Sequence, residues 1–338
     1  MIEICAKIVI KFAISPLISI FLTMTFRTSF PFSPAPIGIS HQTPIFAFGS
    51  CFAENIARRL ERLAFPIQVN PFGILFNPIS MAHGLEMLKK KPILTENDLF
   101  FQNNLWQSDA FHGRFSKPNL EETLLGMQQS VDLGHDFLQK ANRWLLTLGT
   151  AAVFVKKSNQ QIVANCHKLP AGWFERKRLS IQAIVDAFAP ILEEQAAQIV
   201  DFQTIITVSP IRHLRDGFVE NQRSKAVLIL AIEALARLYD FVHYFPAYEL
   251  LLDDLRDYRF YEADMIHPNA QAIDYIFDFF VKTFMNDKTL AILKAVEKYR
   301  LRVEHRPFNT ESDDYQQFKF KTEALKRDLE KQFEIRLN

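Results

Sequence analysis

Apolar positions along the chain alternate between short solid runs and wider, helix-spaced stripes. Residues 45–48 form one such run, and a strand covered on both faces produces that pattern. Directly after it, Ile56, Leu60 and Leu63 fall on one helical face, with Arg58, Arg59 and Glu61 between them. Apolar-rich runs at 143–148, 161–164, 204–209 and 241–245 predict further strands, and stripes at 79–90, 179–198, 222–240 and 270–284 predict helices. Within the helix over 222–240, Leu228, Ala231, Leu235 and Leu238 are the expected buried positions. Prolines at 31, 34, 36 and 44 make 29–44 an irregular lead-in, two Asn-Pro steps make 69–78 a loop, and 95–115 reads as aromatic and irregular. Strands alternating with helices predict an α/β fold, a mostly parallel sheet with helices on both faces, whose ligands sit beyond the carboxyl ends of the strands. The polar clusters of this chain fall at those ends.

Two terminal segments stand apart. Residues 8–24 are apolar enough to suggest a signal or short membrane anchor, but Lys11 and Pro16 interrupt them and a spanning helix needs about 20 apolar residues. Met24 opens Met-Thr-Phe-Arg-Thr, so a start assigned too far upstream accounts for residues 1–23 equally well, and an ordered N-terminal helix is the third reading. From residue 286 the composition turns to Lys, Glu, Arg and Asp at helical spacing, predicting a charged helical extension over 286–338 that packs on the domain or on a partner. The expected division is therefore 1–23, 24–285 and 286–338.

Composition narrows the function classes. Across 338 residues, 49% are hydrophobic, and 39 basic residues balance 38 acidic ones, so no overall field argues for nucleic acid or an anionic membrane. The 32 phenylalanines point to a ring-rich core. Three cysteines, Cys5, Cys51 and Cys166, form no disulfide framework, which favours a reducing, cytoplasmic location unless residues 1–23 are a genuine anchor. No Gly-rich phosphate loop or paired-cysteine metal spacing is present, and a metal site built from His112, His167, His213 and Cys166 matches no standard pattern, so no cofactor is expected.

The chemistry concentrates at two places. In Gly49-Ser50-Cys51-Phe52-Ala53 the first strand stops and a helix begins, which places Cys51 at a helix N-terminus, where unpaired N–H groups and the dipole lower a thiol's pKa towards neutrality. A buried structural cysteine is the alternative. Asp264-Met265-Ile266-His267-Pro268, just before the apolar helix over 270–284, puts a carboxylate within reach of an imidazole that it would orient as a base.

A nucleophile on the first strand-to-helix turn and an Asp-x-x-His before the last helix is the layout of the SGNH hydrolases. More closely, the chain resembles the GSCFA family, named for the run at 49–53. The resemblance extends through Asn70-Pro71-Phe72-Gly73-Ile74-Leu75-Phe76-Asn77-Pro78, Leu148-Gly149-Thr150-Ala151, Asn165-Cys166-His167-Lys168, Val208-Ser209-Pro210-Ile211-Arg212-His213, Tyr244-Phe245-Pro246-Ala247-Tyr248-Glu249 and Asp264-Met265-Ile266-His267-Pro268. It implies a three-layer, flavodoxin-like α/β fold and an acyl-group enzyme, an esterase or acyltransferase acting on small molecules or acylated glycans. By position, Cys51 takes the nucleophile's place and Ser50 that of the usual aspartate, with Ser50 the rival nucleophile. Gly73 would supply an oxyanion N–H beside that of Cys51. The usual Gly-x-Asn is absent, since Gly149-Thr150-Ala151 carries no amide, leaving Asn165 or His167 as replacement donors. Arg212, Arg215 and His213 are candidate substrate-binding groups. A non-catalytic binding module with this fold, and a thiol redox or metal protein using Cys51 and Cys166, are the readings from other classes.

Overall fold

The computed structural model describes residues 28–35 and 37–337, and residues 32–338 form one compact unit. Residues 1–23 and Cys5 lie outside the described residues. Five parallel strands make the central sheet: β1 (Ile45–Gly49), β2 (Ile67–Val69), β5 (Arg143–Leu148), β9 (Gln203–Val208) and β10 (Val242–Phe245), in the order β10-β9-β5-β1-β2. The chain runs outward from β1 to β2 and then crosses to the other side of β1, so the direction of winding reverses between β1 and β5. A crevice opens at the carboxyl ends of the strands at such a switch point.

Every residue of β1 and β5 is buried, as their unbroken apolar runs require. Alternate strand positions, Phe46, Phe48, Trp144, Leu146 and Ile206, face a core shared with the helices Pro78–Lys90 (α2), Leu120–Leu138 (α3), Ile181–Gln198 (α4) and Phe218–Leu238 (α5). The opposite face is covered by Cys51–Arg62 (α1) and Ala270–Phe284 (α6); rings of Phe245 and Phe280 meet edge to face at 5.4 Å. The fold is thus a three-layer α/β arrangement. Two further helices, α7 (Asp287–Val303) and α8 (Asp313–Phe333), form the charged extension, which packs on the domain: Glu304 takes both the Nε and an Nη of Arg62, at 2.7 and 2.8 Å. Among the described residues no helix is long and apolar enough to cross a membrane.

Three expectations are corrected. The run at 161–164 is no strand of the main sheet: only β7 (Ile162–Val163) is extended, and it pairs antiparallel with β6 (Ala152–Lys156), which also pairs with β8 (Phe174–Arg178). Its two residues follow a tight reversal at Gln160, where φ is 58°, which leaves too little length to enter the sheet. The irregular stretch 95–115 contains a short hairpin, β3 (Phe100–Gln102) with β4 (Leu105–Gln107), turned at two left-handed asparagines, Asn103 and Asn104. Leu238 is 59% exposed, because α5 ends at that residue and its apolar stripe turns off the core there.

One position admits only glycine. Gly49 has φ of 139°, and a Cβ there would lie 2.2 Å from the Thr147 carbonyl oxygen on β5. Gly49→Ala is therefore expected to destabilise the chain by about 2–4 kcal/mol, since neither backbone can withdraw from a paired parallel strand. Urea denaturation checks this; an unchanged midpoint would refute the steric argument.

Candidate functional site

The turn after β1 is fixed by its backbone bonds. Gly49 N–H donates to Asn70 Oδ1 at 2.8 Å, Ser50 N–H to Thr147 O at 3.2 Å, and Gly49 O accepts from Leu75 N–H at 3.2 Å. Asn70 is fully buried and left-handed, with φ of 45°, a conformation that asparagine tolerates. Ser50 is the N-cap of α1: its side chain accepts from Phe52 N–H at 3.2 Å, and the residue is 2% exposed. Cys51 follows as the first helical residue, half-buried and with a free thiol.

Burial decides the state of that thiol. Desolvation pushes the Cys51 pKa up, and nearby Glu54 adds to this, while hydrogen bonds from the backbone of Cys51 and Phe52 and the charge of Lys225 pull it down. The expectation of a thiol lowered by its helix terminus is thus corrected: the terminus acts, but removal from water outweighs it, and the resting group is the protonated thiol.

Asp264 and His267 meet as their spacing predicts. Asp264 Oδ1 accepts from the backbone N–H of Ile266 at 2.8 Å and of His267 at 3.0 Å, and Oδ2 lies 2.6 Å from His267 Nδ1. These bonds depress the Asp264 pKa to about 2, the backbone bond from His267 contributing most. An ionised carboxylate only accepts, so Nδ1 is the donor of the pair, and the neutral form of the imidazole carries its lone pair on Nε2. Any stability from this interaction is complete above the ordinary 3.8 and is lost as pH falls towards about 2, so the dyad persists throughout the range in which an imidazole titrates. Arg212 holds the turn from below, its N–H donating to Ile266 O at 3.1 Å and its Nη1 to Met265 O at 3.0 Å.

Ser50, Cys51 and His267 line one cleft of about 390 Å³ beyond the carboxyl ends of β1, β5 and β9. Its walls are mostly apolar, from Ile74, Phe76, Ile211, Leu214 and Ile266, with His213 and Arg176, Arg212 and Arg215 set among them. Arg176 is paired with Asp216, while Arg215 lies over the Phe154 ring at 5.1 Å. Burial drives the His213 pKa down to about 3, aided by the charges of Lys225, Arg176 and His267, so this imidazole is neutral. Its buried Nε2 has no partner among the described residues. The close approach of His213 requires Gly149, where a Cβ would lie 3.0 Å from that nitrogen.

Other predicted residues do not reach the cleft as donors. Gly73 N–H is spent on Asn70 O at 2.8 Å, closing the turn that its φ of 79° permits; the neighbouring Ile74, which does line the cleft, has no acceptor for its N–H among the described residues. Gly149 N–H donates to Phe76 O at 2.7 Å. Asn165 caps its own loop by accepting from His167 N–H, and the buried His167 bonds Ser108 O at 2.8 Å; neither lines the cleft, because both are committed to holding the loop after β7. His112 caps the turn at Gly113–Phe115 in the same way. Cys166 is a free thiol whose pKa burial raises. Among the described residues no three His, Cys, Asp or Glu side chains converge to hold a metal.

Lys225 was not anticipated. It is 1% exposed on α5, and Nζ donates to Gly149 O and to Ser209 O, each at 2.7 Å, joining the ends of β5 and β9. Burial lowers its pKa to about 7, opposed by the charges of Cys51 and Glu249. The pattern carried a signal, since Lys225 continues the buried stripe of Leu228, Ile232 and Leu235 by one turn, and a lysine there has to find acceptors inside.

The family model for GSCFA matches residues 44–280, well over half of the chain. A search of curated proteins finds no match.

The folded-state pKa of Lys225 lies below its unfolded value of 10.5, so between about pH 7 and that value the unfolded chain binds the extra proton and stability rises with pH. Lys225→Met is expected to destabilise the protein by about 1–3 kcal/mol through two orphaned carbonyls and to abolish this rise. Denaturation midpoints across that pH window test it, and the same rise persisting in the variant would contradict the assignment.

Proposed function

The chain belongs to the GSCFA family, and from that premise we propose that it is a thiol-dependent acyl-group enzyme of SGNH-like layout, an esterase or acyltransferase. The observation that carries the reading is the shared cleft: Cys51 and a histidine oriented by Asp264 line the same cavity although they lie at opposite ends of the domain sequence. A protonated thiol needs a base at the moment of attack, and an imidazole with a bare Nε2 supplies one.

In the proposed reaction, His267 Nε2 takes the Cys51 proton as sulfur bonds to the acyl carbon and the carbonyl electrons move to oxygen. The Cys51 and Ile74 N–H groups and the unpartnered Nε2 of neutral His213 are the donors proposed for that oxygen, His213 acting in place of the missing amide. Collapse breaks the bond to the leaving group, which receives the proton from His267, and leaves a Cys51 thioester. Water or another hydroxyl then repeats the sequence on the thioester and returns the thiol. The apolar walls suit the acyl portion. Ser50 is disfavoured as nucleophile because its oxygen caps α1 and is almost wholly buried.

Intact-mass analysis after exposure to activated acyl esters is the test. The adduct should form on the parent and on Ser50→Ala and be lost in Cys51→Ala, while His267→Ala should slow its formation by about 10²–10⁴-fold. An adduct lost in Ser50→Ala and retained in Cys51→Ala would transfer the role to Ser50, and none on the parent would refute the acyl-enzyme reading.

A further inference from the structure

A second cavity, of about 370 Å³, shares the Arg212 wall with the Cys51 cleft. Three tyrosines line it: Tyr248 at its base, 5% exposed, and Tyr258 and Tyr261 on the turn preceding Asp264, their rings 6.1 Å apart. The Arg212 guanidinium lies 5.7 Å from the Tyr258 ring and 5.4 Å from that of Tyr261, which holds it in the shared wall. The other side is the segment Leu250–Leu255, wound as a π-helix and ended by Arg256 in a left-handed conformation. Such winding is rare, and it concentrates at functional sites.

The polar groups of this groove form a mixed set. Asp253 offers acceptors, Asp257 is held by Arg259, through its backbone N–H at 2.9 Å and its side chain, Arg212 and Arg256 offer donors, and Gln222, whose Oε1 accepts from the Tyr248 hydroxyl at 2.8 Å, keeps its amide hydrogens without an acceptor among the described residues. Carboxylates beside guanidiniums give no net field to draw in an anion or a cation. They suit a neutral ligand whose hydroxyls both donate and accept. Aromatic faces above such a rim suit an apolar C–H surface. A saccharide ring has both.

We propose that this groove is a saccharide subsite and that it presents a sugar hydroxyl as acceptor to the acylated Cys51, an assignment that rests on the acyl-enzyme reading above for the transfer step alone. In that step the hydroxyl oxygen bonds to the acyl carbon, its proton passes to His267 Nε2, the carbon–sulfur bond breaks, and the proton returns to the departing thiolate. The products are an O-acyl saccharide and the free thiol.

Binding and transfer are tested separately. Full-length Cys51→Ala is titrated with the methyl glycosides of glucose, galactose and mannose and with N-acetylglucosamine, followed by ligand-observed NMR. Saturable binding of at least one sugar is expected, weakened about tenfold or more by Tyr258→Ala and by Gln222→Ala. Tyr258 is 64% exposed, so its truncation leaves packing intact. No saturable binding, or binding indifferent to both substitutions, overturns the subsite. The acylated parent is then mixed with the bound sugar: faster loss of the adduct together with the mass of an acylated sugar supports the acceptor role. An unchanged decay rate overturns that role while leaving the acyl-enzyme reading standing. No adduct at all refutes the acyl-enzyme reading and the transfer step with it, and the titration on Cys51→Ala still decides the subsite.

Discussion

One buried lysine ties the site together. A lysine removed from water costs several kcal/mol unless its hydrogens find acceptors, and Lys225 finds them in the carbonyls of Gly149 and Ser209. Those residues directly follow β5, the neighbour of β1, and β9, the next strand out, so the same contact sets where the loop carrying Ile211, Arg212 and His213 leaves the sheet. Lys225 thereby fixes a wall of the cleft without entering it. Its charge also reaches Cys51, where it opposes the desolvation that keeps sulfur protonated. Burial raises the cost of a thiolate, and the charged form of Lys225 reduces that cost in proportion as sulfur becomes negative. Such an arrangement favours charge that develops during attack over charge held at rest.

The two halves of the candidate site are held by different physics. The Cys51 turn is locked by buried backbone bonds and by a glycine that allows β1 to touch β5. The Asp264–His267 turn is half-exposed, with side chains 45% and 47% accessible, and it depends on its own carboxylate-capped backbone and on Arg212. Rigid placement of sulfur together with a surface turn that carries His267 leaves the cleft open to solvent on the histidine side. That is also the side on which the tyrosine groove joins it through Arg212.

Much of this was legible in the chain. Solid apolar runs identified β1, β5, β9 and β10 because strands inside a covered parallel sheet carry few polar positions. The antiparallel strand β8 was not legible, since it reads Phe-Glu-Arg-Lys-Arg and is half-exposed, with no apolar run to betray it, whereas β6 carries the short run Ala-Val-Phe-Val. The Asp264–His267 contact followed from local spacing, which sequence shows directly. Cys51 ionisation did not, because the helix terminus is local whereas desolvation comes from burial that only folding produces. Gly73 and Asn165 also read as free donors; a local turn bond to Asn70 O takes the Gly73 N–H, and the loop after β7, where Asn165 Oδ1 accepts from His167 N–H, keeps Asn165 out of the cleft.

The relative placement of Cys51 and His267 follows from helix packing. Cys51 opens α1 and His267 directly precedes α6, so both turns sit at the N-terminal ends of the two helices that cover one face of the sheet. Arg59 on α1 donates to Asp274 on α6 through Nε at 2.9 Å, and the far end of α1 is held by Arg300 Nε donating to Arg62 O at 2.6 Å. Exposed ion pairs contribute at most about 1 kcal/mol each, so these contacts add little stability. Their effect is on registry: a helix pinned at its C-terminal end by the charged extension and at its side by its neighbour cannot slide along its axis, and a shift of one residue would move sulfur by about 1.5 Å. The proton transfer proposed between the two residues would tolerate less than that. The extension that sequence separated from the domain is therefore part of what aligns the two helix ends.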